Sequence, residues 1–326
     1  MLDKLRIAKY RFTLQAVERL ELPPYKGTTL RGAFGNVFKR LACSQSGQVC
    51  ADCLLQTTCA HAYVFETPLP ADAEVLRTYQ DVPHPFVLEP PLDQRTTYEP
   101  GDSLTFNLIL IGRGTSYLPY FILTFQELGR LGIGRGRKEF RLKDVMAVNP
   151  ASGVEALLFS GTDGGLRNED LSIGYAEIEG KASKIPDNRL AVRFLTPTKL
   201  KHAGAYVQQP SFHVLLRSIL RRVSSLYYFH CGERWQTNYR GYVDAAKEVQ
   251  TVDAKTKWVD WERYSSRQKR RVAMGGFVGE VSYEGEFAKL RPLVLLGDII
   301  HVGKATSFGQ GKYEVLLEQD IQAPRG

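Results

Sequence analysis

The residues best suited to chemistry in this sequence are six histidines and a glycine and lysine loop near the C-terminus, Gly303-Lys304-Ala305-Thr306-Ser307-Phe308-Gly309-Gln310-Gly311-Lys312-Tyr313. Glycine lets backbone N–H groups approach a phosphate closely and lysine supplies charge, so Gly303, Lys304, Gly309, Gly311 and Lys312 suit a phosphodiester. The loop is not of the Walker type, because the four-residue gap before Gly-Lys-Ser/Thr is absent and Tyr313 follows Lys312.

Helical spacing separates two of the histidines. Over Phe212 to His230, the residues Phe212, Leu215, Leu216, Ile219, Val223, Leu226 and His230 share one side, which makes it the core face and His230 a buried structural residue. His213 lies at the edge of that face, with Arg217 and Arg221 following at four-residue intervals along the polar stripe. One base and two phosphate binders then point the same way. His301 opens the glycine loop, where it could reach a bound phosphate or simply end the preceding helix. Lys199 and Lys201 read as RNA contacts, His202 beside them as an RNA contact or loop residue, and His84, between two prolines, as a loop residue.

Charge points to a polyanionic partner. The 326 residues carry a net charge of +8, and the basic residues cluster. Ala191 to Arg240 holds eight Lys or Arg against Glu233, Arg130 to Lys143 holds six against Glu139, and a third cluster runs from Lys255 to Arg271. Interleaved aromatics such as Phe194, Tyr206, Tyr227 and Trp258 favour RNA or single-stranded DNA, whose bases stack on rings. In the second cluster, Gly132-Ile133-Gly134-Arg135-Gly136 follows a helix and lacks the third glycine of a dinucleotide fingerprint; Arg135, Arg137 and Lys138 either clamp RNA backbone at a domain joint or are solvated charges on an exposed helix stop. RNA brings its own nucleophile: an enzyme need only deprotonate a 2′-hydroxyl, stabilise charge on the phosphate and protonate the leaving 5′-oxygen. Histidine suits the proton steps and Lys or Arg the phosphate, with a 2′,3′-cyclic phosphate as product and no metal required.

Cys43, Cys50, Cys53 and Cys59 form a separate pattern, C-x6-C-x2-C-x5-C, directly after the first helix. In a reducing compartment disulfides are not expected, and four thiolates can close a tetrahedral zinc site; an iron–sulfur cluster or unliganded cysteines are the alternatives. A tetrathiolate zinc would hold a loop and leave no position for a catalytic water. Cys231, at the end of the core helix, reads as packing.

These residues must be positioned by regular elements, whose order repeats. Strand Lys4 to Leu22, helix Thr28 to Leu41, a short strand Tyr63 to Glu66, strand Leu104 to Ile111, helix Ser116 to Leu131 and strand Phe140 to Val148 read as β-α-β-β-α-β. The second half follows suit: strand Leu190 to Leu195, helix Phe212 to His230, strands near Val252 to Tyr264 and Val272 to Tyr283, helix Phe287 to Ile300 and strand Tyr313 to Leu317. The expected fold is α+β, two ferredoxin-like (RRM-like) domains in tandem, with a cysteine-rich insertion in the first. The boundaries are 1–149, a linker or inserted hairpin at 150–188, and 189–326. Pro83 to Pro100 reads as an extended surface connection. The N-terminus lacks the apolar run of a signal peptide and no stretch approaches the roughly 18 apolar residues of a membrane helix, so a cytoplasmic protein with no membrane partner is expected.

Four motifs in this order carry a family resemblance: Leu30-Arg31-Gly32-Ala33-Phe34-Gly35, Gly129 to Arg137, Arg217-Ser218-Ile219-Leu220-Arg221-Arg222, and the Gly303 to Tyr313 loop. Together they resemble the CRISPR-associated endoribonucleases of the RAMP superfamily that process precursor CRISPR RNA, and the similarity spans nearly the whole chain. The resemblance implies binding to CRISPR repeat RNA and a single metal-independent cut, leaving a guide RNA that passes to effector subunits. It also brings in His61, near where some relatives place a catalytic histidine after their first helix. The alternative class is a catalytically silent RNA-binding subunit of a CRISPR ribonucleoprotein, and a third is a zinc-bearing nucleic-acid-binding regulator.

Overall fold

The computed structural model describes residues 2–45, 47–68, 82–265 and 270–316. The chain divides into two compact units, one made of residues 2–174 with 225–234 and the other of residues 175–224 with those from 235 onward.

In the first unit, β1 (Ile7–Ala16) alternates from Ala8 onward, burying Ala8, Tyr10, Phe12, Leu14 and Ala16 while Lys9, Arg11, Thr13 and Gln15 stay half-buried. A two-residue strand β2 (Leu20–Glu21) leads to α1 (Gly27–Ala42), which buries Leu30, Phe34, Val37 and Phe38 at helical spacing. After the cysteine loop come β3 (Phe86–Glu89), β4 (Thr97–Tyr98), which pairs with β2, and β5 (Ser103–Ile111). α2 (Leu118–Leu131), β6 (Phe140–Val148) and β7 (Glu155–Ser160) complete it. The sheet order is β3-β5-β1-β6-β7, all antiparallel, with Phe12 opposite Phe106 on one side and Val145 on the other. Aromatic rings weld the layers: Phe34 of α1 stacks on Phe121 and Phe125 of α2 at 4.7 and 5.4 Å, Phe12 of β1 stacks on Phe106 of β5 at 5.2 Å, and Phe12 meets Phe125 at 5.4 Å, joining sheet to helix. Emptying one of these buried ring sites costs about 3–5 kcal/mol.

Three expectations change here. The second strand of the β-α-β-β-α-β order is Phe86–Glu89, buried at all four positions, and not Tyr63–Glu66. Ala62–Glu66 is a π-helical turn that buries four consecutive apolar residues, a pattern that a half-covered strand does not produce. The proline-rich connection is therefore extended but partly internal. Segment 150–188 is shared: β7 forms a hairpin with β6, while α3 (Tyr175–Ala182) belongs to the second unit.

In that second unit, β8 (Arg189–Thr198) is followed by a small exposed hairpin, β9 (Lys201–His202) and β10 (Ala205–Tyr206), then α4 (Phe212–Cys231) and α5 (Tyr239–Lys247). Next are β11 (Gln250–Val259), the hairpin β12 (Glu262–Ser265) with β13 (Arg270–Ala273), β14 (Gly276–Glu284), α6 (Arg291–Ile300) and β15 (Tyr313–Leu316). The sheet order β11-β14-β8-β15 repeats the arrangement of the first unit. Phe212, Leu215, Leu216, Ile219 and Val223 of α4 are all at most 1% exposed, as the spacing demands. The expected strand residue Leu317 and residues 266–269 of the third basic cluster lie outside the described residues.

Candidate functional site

The N-terminal turns of α4 gather polar groups from three elements. His213 is half-buried, and its Nδ1 lies 3.2 Å from the Ser211 hydroxyl. Its ring meets that of His202 on the β9–β10 hairpin edge-on, with centroids 5.2 Å apart. Arg217 and Arg221 are exposed along the same stripe. Burial, then the neighbouring His202, Arg217 and Lys247, hold the His213 pKa below its ordinary value. Lys247, at the end of α5, is itself tied to Asp244 at 2.8 Å. A neutral imidazole beside a second imidazole and two guanidinium groups can accept a proton while cations face a phosphate. The spacing on α4 showed His213, Arg217 and Arg221 together; pairing with His202 depends on a hairpin fold and carried no local signal.

The glycine loop follows α6. His301 is wholly buried at φ +61°, and its Nδ1 donates to the Gln310 carbonyl at 3.0 Å, closing the loop on itself. The structure thus places His301 in the interior, as a brace rather than on a phosphate-facing surface. Lys312 is also turned inward, its ammonium 2.7 Å from Asp298 Oδ1 and 3.1 Å from the Asp298 carbonyl. Gly309 and Gly311 are buried, and a Cβ on Gly311 would stand 1.7 Å from the Val302 carbonyl oxygen, so Gly311 serves close packing of backbone on backbone. What remains outward is the tip, with Lys304 exposed and Gly303 packed over the Lys199 carbonyl.

Around that tip lie Lys199 and Lys201, expected from the sequence as RNA contacts, and Arg263, which no sequence motif singled out. Arg263 of β12 sits 4.6 Å from the centre of the Phe308 ring. Lys199 donates to the Ala273 carbonyl at 2.9 Å and lies 5.5 Å from the Tyr206 ring centre, linking the two hairpins of this unit. Lys201 is exposed beside them. By contrast, Arg193 lies between Glu280 and Glu314 on the sheet, and Arg222 is buried with its Nε donating to the Ile300 carbonyl at 2.9 Å, its pKa lowered to about 9 by burial. Two of the eight cations of that stretch are therefore framework.

In the first unit, Gly132, Gly134 and Gly136 all take positive φ, and Ile133 bridges Lys138, so the Arg135 turn is a tight hairpin after α2. Arg135 and Arg137 are exposed, with Arg135 3.7 Å from Glu21, while Lys138 pairs with Glu18 at 3.0 Å. His61 is 7% exposed and stacks on Phe65 at 5.1 Å, with its Nδ1 3.7 Å from Cys50 Sγ; burial, then Lys39 and Arg31, hold its pKa down to about 4. His230 is fully buried: Nε2 donates to the Pro83 carbonyl at 2.7 Å, leaving Nδ1 to accept from Tyr63 at 3.1 Å. Cys43, Cys50, Cys53 and Cys59 are free thiols in the loop after α1. Among the described residues no helix is long and apolar enough to cross a membrane.

Comparison with known proteins places these features. Residues 5–171 match the AF_1859_N N-terminal domain, half of the chain, and residues 192–313 match the CRISPR-associated endoribonuclease Cas6. An uncharacterized protein of Archaeoglobus fulgidus is 25% identical over 298 residues, covering 90% of this chain and 92% of that one. In fold, the chain is similar to Thermus thermophilus Cas6, with TM-score 0.54, 16% identity and coverage of 96% of this chain and 99% of the other. A Cas6 product complex superposes with TM-score 0.56 at 16% identity, over 95% of this chain and 100% of the other. A partial Cas6-RT-Cas1–Cas2 complex gives 0.57 at 13% identity, over all of this chain and 49% of the other.

Proposed function

Because the chain belongs to the CRISPR-associated endoribonucleases, with an AF_1859_N N-terminal domain followed by a Cas6 domain, we propose that it cuts CRISPR repeat RNA once per repeat without a catalytic metal. His213 in its neutral form takes the 2′-hydroxyl proton. The freed oxygen attacks the adjacent phosphorus, the P–O5′ bond breaks, and His202 supplies the proton that O5′ needs. A 2′,3′-cyclic phosphate and a 5′-hydroxyl result. Arg217 and Arg221 stabilise the phosphate, and Lys199, Lys201, Lys304 and the Arg263–Phe308 pair hold the strand to either side.

The observation that carries this reading is the contact of His213 and His202 rings at 5.2 Å beside an exposed arginine stripe, within the segment that matches the endoribonuclease family. In this reading the product guide RNA passes to CRISPR effector subunits, as the family resemblance implies.

The test is single-turnover cleavage of repeat RNA in EDTA. A defined cut that disappears when a 2′-deoxynucleotide precedes the scissile phosphate is expected. His213→Ala and His202→Ala should each slow the cut by about 10²- to 10⁴-fold with RNA affinity little changed. Unaltered rates in both variants would remove this pair from the mechanism.

A further inference from the structure

In the loop between α1 and the π-helical turn at Ala62–Glu66, the buried Ala60 and His61 lie at its end, and the half-buried positions before them are mostly cysteines. From Cys43 to Cys59, the described residues that are not exposed are Cys43, Cys50, Cys53, Cys59 and Gln56. The apolar side chains that a loop of this length would ordinarily bury point the other way: Leu54 is 99% exposed, Val49 66% and Leu55 45%. A 17-residue span with one 3₁₀ turn and no apolar core of its own needs a covalent or metal staple to hold one conformation. The four thiols are free and form no disulfide.

Local backbone hydrogen bonds fix the chain at all four cysteines. Cys50 and Cys53 close a tight turn, the Cys53 N–H reaching the Cys50 carbonyl at 3.3 Å, as a C-x-x-C pair does when both thiolates face one ion. Cys43 is anchored to the last turn of α1 through its N–H to the Lys39 carbonyl at 3.0 Å. Cys59 is anchored at the far end through its N–H to the Leu55 carbonyl at 2.8 Å, and its own carbonyl accepts from Tyr63. Cys59 Sγ lies 3.8 Å from the Ala42 carbonyl, which brings the two ends of the loop together beside α1. Among the described residues no three Cys, His, Asp or Glu side chains yet converge on one point, so binding has to turn thiols inward and order the loop as it occurs.

We propose that Cys43, Cys50, Cys53 and Cys59 bind one divalent zinc-class ion as a closed tetrathiolate site that staples this loop to the end of α1. Each bound thiol releases its proton, and four sulfurs complete the tetrahedron, so the ion is structural and takes no part in cutting RNA. The inference is independent of the proposed cleavage mechanism.

The experiment uses the full chain, stripped with EDTA under reducing conditions and titrated with Co²⁺ alone. One equivalent should bind with a thiolate-to-cobalt charge-transfer absorption that Zn²⁺ then abolishes. Ion binding should also protect the exposed Leu54–Leu55 bond from chymotrypsin, a readout on the native sequence that needs no variant. The double substitution Cys50→Ser, Cys53→Ser should lose the absorption, and Cys231→Ser should keep it. A Co²⁺ spectrum without charge transfer, equal cleavage at Leu54–Leu55 with and without the ion, retention of the signal in the double variant, or an iron–sulfur chromophore in anaerobically purified protein would each overturn the assignment.

Discussion

Lys312 and Asp298 form an internal ion pair, with Nζ 2.7 Å from Oδ1 and side chains only 16% and 19% exposed. The cation that most resembles a phosphate ligand in the loop motif thus braces β15 against α6. Lys304, a few residues earlier, is exposed. The two lysines should separate on substitution. Lys304→Ala is expected to weaken RNA binding and to flatten the plot of log affinity against log salt by about one unit of slope. Lys312→Ala should leave that slope unchanged and lower stability by about 1–3 kcal/mol, because Asp298 loses a charged hydrogen-bond partner. A salt titration and a denaturant melt on each variant check the assignment.

His213 has its pKa held below the ordinary value of 6.5, with burial the first cause and His202, Arg217 and Lys247 adding to it. Its neutral form therefore persists to lower pH than that of a free imidazole. Arg217→Gln removes one repelling cation, so the pKa should rise and the acid limb of the kcat/KM profile should move to higher pH. The sign for stability is the same: the unfolded chain binds this proton more readily than the folded one. The contribution is intact above about 6.5 and declines as pH falls below it. An NMR titration of the His213 ring reads the shift directly, and an unmoved limb would argue against His213 as the base.

Gly311 sits at φ +73° with the Val302 carbonyl oxygen 1.7 Å from where a Cβ would be, and its own carbonyl accepts from Val302 N–H at 3.0 Å. Gly311→Ala should cost roughly 3 kcal/mol or more, since the obstacle is backbone and the conformation is left-handed. Gly153, at φ +76° with nothing within 4 Å of the position a Cβ would take, supplies the control: Gly153→Ala should cost about 1 kcal/mol. Thermal midpoints of the two variants test whether the glycine loop is packed as described. Equal shifts would contradict it.

Local patterning carried most of the fold. The strand at Phe140–Val148 and the helix starting at Phe212 begin where periodicity puts them, because burial of one face imposes a repeat that neighbours in sequence reveal. The same periodicity shows which side of α4 is core, and so isolates His213, Arg217 and Arg221 from His230. It failed at Tyr63–Glu66, part of a π-helical turn in which Ala62 to Phe65 are all buried, and at Phe86–Glu89, where prolines masked a strand that pairs with β5.

The sequence by itself determined the repeated β-α-β-β-α-β order, the polyanion-seeking charge and the cysteine spacing, all of which follow from residue identity and short-range period. Only tertiary structure decided which cations are available. Lys312, Arg193 and Arg222 find partners 14 to 121 residues away and turn inward, His301 folds back on Gln310, and His202 comes to His213 across a hairpin. Pairing of charges and exclusion of water depend on distance in space, and spacing along the chain does not encode it.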